Sequence, residues 1–125
     1  MDTSYVMQVT ETIRQQLLAT TPLNVLFSWG ALHGFRATVH DNMATLAFRV
    51  NGRLFQGDVL IAYNEMDFYD IYLRDGSGTK LIHTDVYFDQ LSDLIDTAIE
   101  SGTDKEEYER FCEEEHRKLL RGEIG

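Results

Sequence analysis

The chain has 125 residues, 43% of them hydrophobic and 26% charged, a composition ordinary for one globular domain and inconsistent with wholesale disorder. Its net charge of −10 sits mostly in residues 85–125, where thirteen acids face five bases, so the chain repels phosphate backbones and direct nucleic-acid binding is disfavoured. No apolar run approaches the roughly 20 residues of a bilayer span, "MDTSYVMQVTETIRQQ" has no greasy leader core, and the single Cys112 cannot form an internal disulfide; a cytoplasmic protein without membrane contact is expected.

Residues 1–22 read as an N-terminal helix. Val6, Val9, Ile13 and Leu17 recur at spacings of three and four, which places them on one face. Asp2 or Thr3 can cap the start, and Pro22 pushes Thr21 out of the helical region. "VLFSWGAL" comes next, apolar on all sides and readable as strand or helix.

The rest of residues 23–84 reads as antiparallel sheet. "FRATVH" alternates Phe35, Ala37 and Val39 with Arg36, Thr38 and His40; "ATLAFRV" alternates Leu46, Phe48 and Val50 with Thr45, Ala47 and Arg49. Asn51-Gly52 between apolar runs predicts a tight hairpin. "GDVLIAYN" and "DFYDIYL" extend the sheet, and "DGSG" turns it into "TKLIHT".

Helical spacing returns in residues 85–125 through Leu91, Leu94, Ile95, Ala98 and Ile99, with Gly102 as a stop. Thr103-x-x-Glu106 resembles a capping box for a last helix with the stripe Tyr108, Phe111, Cys112, Leu119 and Leu120, ending at Gly122. The expected architecture is one two-layer α+β domain: a five- to six-stranded antiparallel meander packed by an N-terminal helix and an acidic C-terminal helical hairpin.

Between Met66 and Leu91 stand Asp67, Asp70, Asp75, Asp85 and Asp89. Asp67 and Asp75 flank one strand, about 26 Å apart at roughly 3.3 Å per residue, and cannot share an ion. Asp75-Gly76-Ser77-Gly78 lacks the further oxygens of a calcium loop, so Asp75 reads as a turn residue and Asp85 and Asp89 as helix-start charges. Cys112 and Glu113-x-x-His116 supply too few ligands for zinc or a di-iron centre; Cys112 is expected to fill a core gap and His116 to edge the stripe. His33, His40 and His83 have no nucleophile and acid placed beside them. There is no nucleophile elbow, phosphate loop or His-Glu-x-x-His, so no catalytic residue, metal or cofactor is assigned and the reading leans away from an enzyme.

Pleat parity sends Tyr69, Ile71 and Leu73 inward and leaves Arg36, Arg49, Phe68, Tyr72 and Arg74 on the opposite face, with Trp29 nearby. Aromatic and arginine side chains suit a binding surface, so a non-enzymatic interaction module with a protein partner, or a homodimer, is the first expectation. The second is an inhibitor that mimics nucleic acid through Glu106, Glu113 and Glu114 on the acidic last helix. A third is a small-molecule pocket between helix and curved sheet, lined by Trp29, Phe48 and Tyr69. The pairing of "DFYDIYL" with "DVYFDQLSDLID", within residues 44–100, resembles small uncharacterised accessory proteins of bacterial conjugative or other mobile elements. That resemblance implies a bacterial accessory role and carries no site residues with it.

Overall fold

A computed structural model describes residues 1–31 and 34–120. His33 and Gly122 lie outside the described residues. Helix α1 (Thr3–Thr20) starts where the Asp2 side chain accepts a hydrogen bond from the Ser4 amide at 3.2 Å, and it buries Val6, Thr10, Ile13 and Leu17. Thr21 is extended, as the following proline requires.

In the ambiguous "VLFSWGAL", residues 25–29 belong to helix α2 (Leu23–Trp29) rather than to a strand, and Leu32 lies outside the described residues. Pro22 supplies a preset φ before its first turn, and Gly30 ends it at φ +66, a left-handed cap that glycine adopts without strain. Leu26 and Trp29, three apart, are the buried pair.

Five strands follow: β1 (Arg36–His40), β2 (Met43–Asn51), β3 (Gln56–Tyr63), β4 (Tyr69–Asp75) and β5 (Gly78–Val86). They form one antiparallel meander in the order β1-β2-β3-β4-β5. The β1–β2 hairpin turns on Asp41 and Asn42, both at positive φ and both tolerant of it. Asn51-Gly52 does not form the expected tight turn. Asn51 pairs with Gln56, leaving a longer loop whose Leu54 amide donates to the Ile99 carbonyl at 2.8 Å. Gly52 is needed there for close approach, because a Cβ would run into that same carbonyl. Two register shifts in the β4–β5 pairing, with Asp85 at φ +54, bend β5.

A short 3₁₀ turn (Phe88–Gln90), helix α3 (Leu91–Asp96) and a π-helical turn (Thr97–Ser101) come next. Leu91, Ile95 and Ile99 close the core over Phe48, Val50, Val59, Ile61 and Ile71, together with Ile13, Leu17, Leu26 and Trp29. The Trp29 indole N–H donates to Asp96 at 2.9 Å, joining α2 to the end of α3.

Helix α4 (Lys105–Leu120) begins one residue later than the expected capping box, with Asp104 rather than Thr103 accepting from the Glu107 amide at 3.0 Å. None of its residues is buried. Its first two turns hold Arg53 of the β2–β3 loop, whose guanidinium lies 5.4 Å from the centroids of both Tyr108 and Phe111 and pairs with Glu107 at 3.1 Å. Cys112 is exposed instead of filling a core gap, as are Leu119 and Leu120. No described helix is long and apolar enough to cross a membrane.

Candidate functional site

Parity holds through the fourth strand. Tyr69 and Ile71 are buried in the helix-side core with Leu73 beside them, and Tyr72 and Asp70 occupy the other face. That other face is not open where Tyr72 stands. Tyr72 is only 8% exposed, in a cluster with Ala47, Leu60 and Ala62. Its ring meets His40 of β1 edge-on at 4.4 Å, although two strands lie between them. Three strand spacings are about 14 Å, so both side chains reach inward over the strands between them, where small residues leave room. Ala47 and Ala62 provide that room. Tyr72 is therefore corrected from a contact residue to a covering one, and desolvation followed by the charges of Asp70 and Asp41 pushes its phenol pKa up.

The arginines behave differently. Arg36 and Arg74 both reach Asp58 Oδ2, at 3.1 and 2.9 Å, and Arg49 lies directly across the β2–β3 ladder from Asp58. Partial burial works against the Asp58 charge, but the two guanidinium groups outweigh it and hold the carboxyl below its ordinary range. Arg36, Arg49 and Arg74 are thus brought together, while Tyr72 is buried beside them and Phe68 sits elsewhere.

Phe68 is the second correction. It precedes β4, just after Asp67 at φ +64, and packs edge-on against Tyr87 at 4.7 Å on the α1 side of the sheet. There it lines an open cleft of about 670 Å³ between α1, the ends of β3, β4 and β5, and the 3₁₀ turn. Six of the chain's fourteen aromatic residues converge on it: Tyr5, Tyr63, Phe68, Tyr69, Tyr87 and Phe88. Helix α1 contributes Gln8, Thr12 and Gln16 from a flank separate from its buried stripe. The expected pocket residues Trp29 and Phe48 are fully buried in the core; Tyr69 alone of the three reaches the cleft.

Hydrogen bonds fix the cleft walls. Tyr69 donates its hydroxyl to Gln16 Oε1 at 2.6 Å, and Tyr63 donates to Asp67 Oδ1 at 2.7 Å. That bond to a carboxylate pushes the Tyr63 phenol up to about 12, so it stays protonated at neutral pH. Burial likewise raises Tyr69. Asp67 is the one charged side chain among the lining residues.

The remaining acids are structural in their contacts. Asp70 Oδ1 accepts from Asn64, Thr84 and the Asp85 amide, pinning the irregular part of β5. Asp75 accepts from the Ser77 amide at 2.9 Å and from its hydroxyl, as a turn residue does, and these bonds lower its pKa. Glu106, Glu113 and Glu114 are exposed on α4. The ion pairs formed there are Glu113–Arg117 and Glu115–Lys118, at 3.7 and 3.5 Å, so bases interrupt the acidic run. No group of three His, Cys, Asp or Glu among the described residues is arranged to hold a metal ion.

No protein family, curated protein or solved structure matches this chain.

Proposed function

We propose that this protein is a small-molecule-binding domain whose site is the aromatic cleft between α1 and the ends of β3 to β5. One observation carries this reading: six aromatic side chains and a few oriented polar groups meet in a concavity of about 670 Å³. Ligand sites typically occupy 300–1,000 Å³ and combine apolar walls with a small number of placed polar groups. Tyr87 and Phe88, half exposed at the edge of this hollow, are surfaces that a ligand would cover. The sheet face first expected to bind a partner now offers arginines without their aromatic companions, which weakens it relative to the cleft.

The reading is tested by ligand-observed NMR with a mixed library of neutral and charged small molecules. Thr12 is exposed and lines the cleft, so Thr12→Trp fills it without disturbing the core. Hits that bind the parent and are lost in Thr12→Trp support the proposal. An empty screen, or hits indifferent to Thr12→Trp, rejects it.

A further inference from the structure

The walls and charge of the cleft also narrow what it takes. We infer that its ligand is a small organic ammonium ion, held by cation–π contact with the tyrosine rings and by the Asp67 carboxylate; this rests on the cleft being the binding site. The rings are set at angles to one another: Tyr63 and Tyr69 have centroids 5.9 Å apart and planes 55° apart, and Phe68 and Tyr87 are near perpendicular at 82°. Rings of different tilt line one hollow, and a cation over an exposed ring face within about 6 Å of its centroid is attracted by the ring quadrupole. A phenol that gives its hydrogen bond to a carboxylate gains ring electron density, and Tyr63 does so to Asp67 at 2.7 Å.

Charge supports the same sign. The cleft lining contains no Lys, Arg or His. The hollow next to it shares Tyr5, Tyr63 and Asp67 with the cleft and adds Glu65, Asp70 and Asp85. An anion entering the cleft meets the Asp67 carboxylate and no Lys, Arg or His side chain. A neutral apolar molecule gains burial only. An ammonium ion with an apolar body gains burial, ring attraction and Asp67 together. The volume of about 670 Å³ exceeds a bare trimethylammonium group, so an ammonium head carrying a further apolar or hydroxylated part fits best.

The test uses choline and its neutral carbon isostere, in which a tert-butyl group replaces trimethylammonium. Shape is nearly the same, so the difference reports charge. Each is titrated into the 125-residue protein while the Tyr and Phe ring signals are followed by NMR. The expected result is about tenfold tighter binding of choline, with shifts at Tyr5, Tyr63, Tyr87 and Phe88. Asp67→Asn should reduce that preference several-fold, and asparagine tolerates the positive φ at this position, so the variant keeps the turn. Tyr87→Ala, on an exposed wall, should remove most of the preference. If the isostere binds as tightly as choline at the same rings, the ammonium inference falls and the cleft reading stands. If neither perturbs these rings, the ammonium inference falls, and the cleft reading is decided by the library screen and Thr12→Trp. If choline shifts only signals of the acidic α4, its binding is non-specific and the inference is rejected.

Discussion

On its helix side the sheet buries Phe48, Ile61 and Ile71 beneath α1, α2 and α3, whereas on its far side Tyr72 packs with Ala47 and Ala62 and meets His40, with no second layer of described residues. The helix side is large side chain against large side chain, with Trp29 and Phe48 stacked at 6.5 Å and Phe35 on Phe48 at 5.2 Å. The far side reaches similar dryness at its centre by a cheaper arrangement, long side chains lying along the pleat over short ones. A sheet face without helices is thus not necessarily a binding face. Its middle can be sealed by the sheet itself, leaving water to a margin that includes Arg36, Arg49, Arg74 and the half-exposed Leu81.

Two truncations probe that contrast. Phe48→Ala removes a fully buried ring from the helix-side core and should cost about 3–5 kcal/mol in chemical denaturation, the usual range for such a cavity. Tyr72→Ala should cost about 2 kcal/mol, because water can reach the far side once its cover is gone and no closed cavity is left. Equal losses would mean that the far face is as deeply closed as the core. A negligible loss for Tyr72→Ala would mean that its ring lies loosely over the alanines, reopening this face as a contact surface.

Much of the architecture was legible in the residues, and the failures have identifiable causes. Helical spacing located α1, α3 and α4, and period two located the strands and the inward set Tyr69, Ile71 and Leu73. Periodicity could not separate strand from helix in the short, uniformly apolar α2; Pro22 before it and Gly30 after it were the usable signals. Asn51-Gly52 has tight-turn chemistry, but docking of its loop on Ile99 and Glu100 overrode the local preference. The dipeptide that does make such a turn is Asp41-Asn42, two residues that tolerate positive φ. The cleft was least legible. Phe68 was assigned by extending the alternation one residue beyond the strand start, where the positive φ of Asp67 breaks the pleat. Tyr5, Gln8, Thr12 and Gln16 do follow helical spacing, yet a mixed polar and aromatic flank looks like ordinary solvated surface until the strand ends are placed beside it.

The charged rim gives the smallest expected effect and sharpens the contrast by pH. Asp58 joins Arg36 and Arg74, and its folded pKa is depressed. A depressed carboxyl stabilises the fold when ionised; that contribution is complete above the unfolded pKa of about 4 and disappears as pH falls through the folded value. Asp58→Asn should therefore be less stable than the parent by about 1 kcal/mol at neutral pH, a modest figure because Arg36 and Arg74 are 47% and 40% exposed and water screens both pairs. The two proteins should converge in stability below about pH 4, as denaturation midpoints measured from neutral to strongly acidic pH would show. A gap that persists unchanged into acid would assign Asp58 a role in packing rather than in charge, and the rim would then belong with the sealed centre of the face.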